Sequence, residues 1–221
     1  MLKSFSQYSG AIFDLDGTLI DSMHIWDHIS RDWLIAGGTD PAAIPADMEA
    51  AFVSMTIAQT TEYVIRHFGI KQSQEEIAAQ WQAMVLGQYQ NTVPLKPGAA
   101  ALLRSLAEQG IKLAVATSCF PACCEAALER HGIRKHFSAI IYSGDVKRDK
   151  SFPDIWLAAA SRLDLPPESC VVFEDMYTAL KGVRAAGMDF VAVYDDTCAD
   201  WPAMQAGADL ALRSLAECPP F

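Results

Sequence analysis

The sequence predicts an α/β fold: a parallel sheet covered on both faces by helices, with an all-helical segment inserted after the first strand. Three observations lead there. From about residue 99 onward, short continuous apolar runs alternate with amphipathic stretches, the pattern of strands buried on both faces. Between Asp21 and Asn91 the apolar residues recur at helical spacing and no strand-like run occurs. Acidic, hydroxyl and basic residues follow directly on the apolar runs or sit just before a helix start, on the rim where open parallel sheets bind their ligands.

The first apolar run, Gly10–Asp14, reads as a buried strand that stops at acidic residues and Gly17. In the following region Ile25, Ile29, Trp33 and Leu34 mark one helical face, Ile57, Thr61, Val64, Ile65 and Phe68 a second, and Ile77, Trp81, Met84 and Val85 a third. Gly37-Gly38 and Pro41 to Pro45 punctuate this block, which reads as about four helices. Thr92–Gly98 is a linker. Then come a helix (Ala99–Gln109, ended by Gly110), a strand (Lys112–Ala116), a helix (Ala122–His131, followed by Gly132) and a strand (Ser138–Tyr142). A helix with proline in its first turn (Pro153–Leu163), a strand (Cys170–Phe173), a helix (Met176–Ala186) and a strand (Asp189–Tyr194) follow, and a short helix (Trp201–Ala206) and strand (Asp209–Leu212) close the series. The implied division is a core of residues 1–20 and 93–221 with a helical unit of 21–92.

At 221 residues, 51% apolar and 20% charged, the chain can bury a substantial core and is not a disordered sequence. Seventeen basic against 27 acidic residues leave a net charge of −10, which disfavours nucleic acid and anionic membrane surfaces as partners. No apolar stretch approaches the roughly 18 residues of a membrane span. Met1–Gly10 carries one lysine and no long apolar run, so no signal peptide is expected there. The six cysteines (Cys119, Cys123, Cys124, Cys170, Cys198, Cys218) lack the spacing of a zinc site, and reduced thiols in a cytoplasmic protein are expected. A monomer is favoured.

The chemistry concentrates in four segments. Asp14-Leu15-Asp16-Gly17-Thr18 ends the first strand; a DxDGT pattern arises by chance about once in 10⁵ windows, so its placement there argues for function. Asp14 can reach the crevice, and a carboxylate attacks phosphorus well once the phosphoryl charge is neutralised. A second carboxylate two residues on, Asp16, can protonate the leaving oxygen and later deprotonate water. Thr117-Ser118 follows the second core strand and precedes a helix, a place suited to a phosphate oxygen. Lys150 offers a compact cation for Asp14 and phosphate. Glu174-Asp175 is read as opening a helix, and with Asp14 and a backbone carbonyl it could hold Mg²⁺.

In this order these residues resemble the haloacid dehalogenase-like (HAD) superfamily, in its phosphatase and phosphomutase branch, and the resemblance spans the whole chain. The helical insert is similar to the cap of the beta-phosphoglucomutase-like subgroup. The resemblance implies a Rossmann-like core with a helical cap domain. It implies Asp14 as nucleophile and Asp16 as acid and base, with Thr117, Ser118 and Lys150 on the phosphoryl group. Mg²⁺ would be held by Asp14, the Asp16 carbonyl and Asp175, with Glu174 in or near its shell and Thr18 steadying the Asp16 turn. The lysine segment departs from the family's usual Gly-Lys-Pro-x-Pro-Asp, reading Asp149-Lys150-Ser151-Phe152-Pro153-Asp154.

The expected activity is Mg²⁺-dependent hydrolysis of a small phosphorylated metabolite, such as a sugar phosphate, through an aspartyl phosphate. The alternative is a sugar phosphomutase using the same intermediate, disfavoured because Trp26 stands where the mutase has a histidine. His24, Trp26, Asp27 and His28 are the candidates for leaving-group contacts.

Overall fold

A computed structural model of the chain describes residues 7–26, 28–52, 55–198 and 200–219. Six strands, β1 (Gly10–Phe13), β2 (Lys112–Thr117), β3 (Phe137–Tyr142), β4 (Cys170–Glu174), β5 (Asp189–Val193) and β6 (Leu210–Leu212), form one sheet in the order β3-β2-β1-β4-β5-β6. Every pairing is parallel. This is the Rossmann-like α/β arrangement expected from the alternation of strands and helices. The chain moves outward from β1 through β2 to β3, then returns to the other side of β1 to lay down β4. The carboxyl ends of β1 and β4 therefore meet at the point where the strand order reverses.

Alternate residues of these strands feed two separate cores. Ala11, Phe13, Val115 and Phe173 pack on one face, and Ile12, Ala114, Val172 and Phe190 on the other. Both faces are covered, so the central strands read as unbroken apolar runs. Phe13 and Phe173 are register partners, with rings stacked at 4.5 Å. Such a contact adds about 0.5–1.5 kcal/mol beyond area burial and fixes the β1–β4 register next to the site.

The helices are α1 (Met23–Trp26), α2 (Ile29–Ala36), α3 (Met48–Phe52), α4 (Ile57–Phe68), α5 (Gln74–Asn91), α6 (Ala99–Glu108), α7 (Pro121–Arg130), α8 (Asp154–Arg162), α9 (Ala179–Ala185) and α10 (Trp201–Gly207). The first five make up the insert after β1, and α6 follows it before β2. Capping boxes open α4 (Thr56 with Gln59) and α5 (Ser73 with Glu76), each satisfying otherwise unpaired N–H groups. The two chain segments joining this insert to the sheet pair with each other: Ile20 bridges Leu95, Asp21 N–H donates to Pro94 O at 3.0 Å and Lys96 N–H to Leu19 O at 2.9 Å. Arg130 Nε of α7 donates to the Tyr89 carbonyl at 3.1 Å, tying the end of α5 to the core.

One expected boundary is corrected. Glu174 is the last residue of β4 rather than the start of a helix, and α9 begins only at Ala179. The physical reason is local: Glu174 Oε1 accepts the N–H groups of Asp175 and Met176 at 3.1 and 3.0 Å, bending the chain before it can coil. All six cysteines are free thiols. No helix among the described residues is long and apolar enough to cross a membrane.

Candidate active site

Asp14 leaves the end of β1, and its backbone N–H donates to Phe173 O of β4 at 3.0 Å. The chain then turns sharply: Leu19 N–H and Ile20 N–H both donate to Leu15 O, at 2.8 and 3.0 Å. Gly17 makes the turn possible. Its φ is +81°, and a Cβ there would run into the Asp175 carboxylate. The close approach brings Thr18 against Asp175, and the Thr18 hydroxyl donates to Asp175 Oδ1 at 2.9 Å in a buried contact. Thr18 thus orients Asp175, a link between two motifs that their separation in sequence conceals.

Lys150 is buried, and its ammonium donates both to Asp14 Oδ1 and to Glu174 Oε2, the latter at 2.8 Å. Its backbone is held by the Trp156 indole N–H, which donates to Lys150 O at 3.0 Å. Oxygens of Asp14, Glu174 and Asp175 lie within 4.8 Å of one another. Three buried carboxyl groups thus cluster, and two of them, Asp14 and Glu174, share the Lys150 ammonium. Burial pushes the Asp14 carboxyl up to about 8; Lys150 pulls it down, while Glu174 and Asp16 add to the rise. Asp175 is pushed well above the usual carboxylate range by burial and then by Glu174 and Asp14. Burial would lower the Lys150 pKa, but Asp14 and Glu174 outweigh it and hold the ammonium charged. An excess of close, hard oxygen donors over cations fits a Mg²⁺-like ion, which prefers carboxylate, carbonyl and water ligands. Within the group Glu174 differs, since both its oxygens already accept hydrogen bonds.

Asp16 faces the helical insert. Its Oδ1 accepts from the Ser22 hydroxyl at 2.5 Å and from the Tyr89 hydroxyl, and Trp26 Nε1 lies 3.4 Å away. The Trp26 indole donates to the Tyr89 oxygen at 2.7 Å. Burial, and then the Asp16 charge, hold the Tyr89 hydroxyl well above its usual range, so it remains a donor. On the other side of the crevice the buried Thr117 hydroxyl accepts from Cys119 N–H at 2.9 Å. The Ser118 hydroxyl is within 2.7 Å of that of Ser143.

A cavity of about 140 Å³ lies between the sheet's carboxyl end and the insert. Asp14, Asp16, Thr117, Ser118, Lys150 and Asp175 line it from the core, and Trp26, Ser30, Phe52, Ile57 and Trp81 are among the residues facing it from the insert. Four separate stretches of chain thus meet in one place. Of the insert candidates, Trp26 lines the cavity, whereas His24 and His28 are exposed and do not. This corrects the expectation for those two. Near helical geometry, residues two positions either side of an inward side chain are carried to the outer face. His24 instead borders a separate depression with Asp21 and Lys96, and Asp27 lies outside the described residues. Sequence reading missed Ser22, Tyr89, Ser30 and Trp81. The helical spacing of Trp81 marks it only as buried, and no motif joins Tyr89 or Ser22 to Asp16.

The strand order, the reversal point and the acidic cluster there define a hydrolase of known type: the chain belongs to the haloacid dehalogenase-like hydrolase family, whose pattern matches residues 11–193. Among its relatives, hexitol phosphatase A of Escherichia coli is 33% identical over 210 residues, covering 93% of this chain and 91% of that one. The fructose-1-phosphate phosphatase YqaB of Escherichia coli is 27% identical over 215 residues, covering 86% and 98%. The crystal structure of CbbY from Rhodobacter sphaeroides in complex with phosphate superposes with a TM-score of 0.84 at 25% identity, covering 95% of this chain and 96% of that one. A beta-phosphoglucomutase from Clostridium difficile shares the fold, with a TM-score of 0.78 at 21% identity over 96% of this chain and 93% of its own.

Proposed function

We propose that the chain is a Mg²⁺-dependent phosphatase of a small phosphorylated metabolite, working through a phosphoaspartate on Asp14. The observation that carries this reading is the meeting of Asp14 with Lys150, Thr117 and Asp175 in one cavity beneath the helical insert. Relatives named as phosphatases of hexitol phosphates and fructose 1-phosphate support it.

In this reading Lys150 binds a phosphoryl oxygen and keeps the approach of Asp14 to a dianion from being repulsive. The Thr117 and Ser118 hydroxyls hold the other phosphoryl oxygens. Asp14 attacks phosphorus in line with the ester oxygen, and Asp16 gives that oxygen a proton as it leaves. Asp16, now a carboxylate, takes a proton from water, which attacks the aspartyl phosphate and frees Asp14. Asp14, Asp175 and the Asp16 carbonyl are the groups that would hold Mg²⁺, with Glu174 steadying Lys150 beside them. When bound, the ion neutralises charge on the transferring phosphoryl group.

Residues 21–92 act as a cap over a core of 1–20 and 93–221. The cavity, at about 140 Å³, is small beside the roughly 300 Å³ at which small-molecule sites begin, and an outward swing of the insert would widen it for substrate. The paired segments at Ile20–Ser22 and Asn91–Lys96 are its hinges. Trp26, standing where the resembling mutases have a histidine, favours hydrolysis over return of the phosphoryl group to a sugar. The test is phosphate release from a panel of phosphorylated metabolites with Mg²⁺, with product analysis on a hexose 1-phosphate. Released phosphate is expected. Isomerised sugar phosphate in its place would establish the phosphomutase alternative.

A further inference from the structure

Helix α5 ends where the insert rejoins the sheet, and its last carbonyls have few donors of their own. Thr92 N–H and Val93 N–H both donate to Gln88 O, at 2.8 and 3.0 Å, and Pro94 carries no N–H. The main-chain donors that would serve Tyr89 O and Gln90 O are therefore engaged elsewhere or absent. Two consecutive residues at the end of core helix α7 take over. Arg130 Nε donates to Tyr89 O at 3.1 Å and Nη1 to Asn91 O at 3.4 Å, while His131 Nε2 lies 2.9 Å from Val93 O. A guanidinium presents its N–H groups in a fixed fork, so it can meet two carbonyls at once, and its charge suits the negative end of a helix.

The residue gripped at its carbonyl is the one whose side chain reaches the site. Tyr89 is buried, and its hydroxyl donates to the Asp16 carboxylate. A tyrosine has only two side-chain torsions, and here the ring packs edge-on against Trp26, so the placing of the Tyr89 backbone fixes where the hydroxyl falls. Helix α7 is a firm anchor for that backbone. Its Cys123, Cys124, Ala127 and Leu128 are buried, and it starts at Pro121, three residues after Ser118. One rigid element thus runs from the hydroxyl side of the crevice to the segment by which the insert returns to the core. Neither Arg130 nor His131 borders the cavity, and the pair belongs to none of the four segments that concentrate the chemistry.

We propose that Arg130, assisted by His131, is a positioning residue for the acid and base step: it clamps the exit of α5 so that the Tyr89 hydroxyl stays on Asp16. The proposal rests on the phosphatase reading and adds to it a residue outside the cavity.

The test is a double-mutant cycle of Arg130→Met with Tyr89→Phe, read as kcat/KM on two esters with Mg²⁺. Sorbitol 6-phosphate has an alkoxide leaving group that needs a proton, whereas 4-nitrophenyl phosphate releases a stable phenolate. Arg130→Met is expected to lower kcat/KM by about 5- to 20-fold on the alkyl ester and by less than about threefold on the aryl ester. Added to Tyr89→Phe, it is expected to cost less than about a further twofold, since the hydroxyl it positions is already gone. Arg130→Lys keeps a cation without the fork and is expected to recover part of the loss. Equal losses on the two esters, losses that multiply in the double variant, or no loss at all would overturn the proposal. Should Arg130→Met not fold, the same cycle with Arg130→Lys decides it by the same criteria. Amide hydrogen exchange over residues 86–93 gives a readout independent of turnover, and faster exchange there in Arg130→Met, with α4 unaltered, is expected. That result in a protein whose wild type releases no phosphate would uphold the clamp and reject the phosphatase. Phosphate release by wild type with exchange over 86–93 unaltered in Arg130→Met would keep the phosphatase and reject the clamp.

Discussion

The Tyr89 hydroxyl, at the far end of the insert's last helix, donates to the Asp16 carboxylate three residues beyond the end of the first strand. The residues are 73 positions apart. Their contact exists only when the insert sits over the sheet. With the Ser22 hydroxyl on the same oxygen, it ties the orientation of the proposed acid and base to the position of the insert. Tyr89→Phe keeps the ring packed on Trp26 and removes the donor. The expected result is a 10- to 100-fold fall in kcat with a smaller change in KM. Steady-state kinetics on the best substrate checks this. An unchanged kcat would show that Ser22 alone orients Asp16.

Asp14→Asn removes the proposed nucleophile but preserves shape. Turnover is expected to fall by a factor on the order of 10³ or more, with the far-ultraviolet circular dichroism unchanged. Turnover near the wild-type level would take the nucleophilic role away from Asp14.

Three clustered carboxyl groups, only two of them paired with Lys150, are the proposed seat of a divalent ion. Exhaustive chelation is expected to abolish phosphate release, and Mg²⁺ to restore it. Mg²⁺ is also expected to raise the melting temperature in a concentration-dependent way, since an ion that binds only the folded chain stabilises it by mass action. Persisting turnover after chelation, with no thermal response, would contradict the metal assignment.

Gly182 on α9 packs directly on the lysine loop. A Cβ at this position would strike the carbonyl oxygens of Lys150 and Phe152, the latter at 2.6 Å, and come within 2.9 Å of Trp156 Nε1. Gly182→Ala must push that loop outward and draw Lys150 away from Asp14. A loss of about 1–3 kcal/mol of stability is expected from overpacking, with a fall in kcat/KM beyond what instability explains. Denaturant unfolding and kinetics on the folded fraction separate the two effects.

Lys96, on the insert's return segment, donates to Asp195 Oδ2 at 2.6 Å just beyond β5, and Thr197 donates to Oδ1 through N–H at 2.9 Å and its hydroxyl at 2.7 Å. Burial favours the protonated carboxyl, but these donors outweigh it and hold Asp195 below its ordinary range. A carboxyl lowered on folding contributes stability that is complete above its unfolded pKa of about 3.9 and is lost as pH falls through the lower folded value. Asp195→Asn should therefore flatten the fall in melting temperature below about pH 4. Lys96→Met leaves Asp195 buried without its cation and is expected to cost about 3 kcal/mol. Superimposable acid limbs for wild type and Asp195→Asn would remove this pair from the acid transition.

Much of the fold could be read from residue order because its signals are local. A strand buried on both faces must be apolar throughout, so Ala11-Ile12-Phe13 and Val171-Val172-Phe173 announce themselves. Glycine C-terminal to a helix, as at Gly110 and Gly132, takes a left-handed turn that few other residues tolerate. The start of α9 was not legible, because the carboxylate of Glu174 bends its own following chain. The composition of that stretch looks helical.

The site divides in the same way. The sequence by itself determined which groups could do the chemistry: Asp14, Asp16, Thr117, Ser118, Lys150, Glu174 and Asp175 each stand next to a strand end or helix start. Only the tertiary structure decided which groups touch. It put Thr18 on Asp175, Glu174 behind Lys150, Tyr89 and Ser22 on Asp16, and Ser30 with Trp81 beside the same cavity, while carrying His24 and His28 to the outside. Residue types and spacing encode what a segment can do, because backbone geometry repeats over a few residues. The contacts between distant segments depend on how the sheet order and the packing of the insert bring them together, and no local pattern records that.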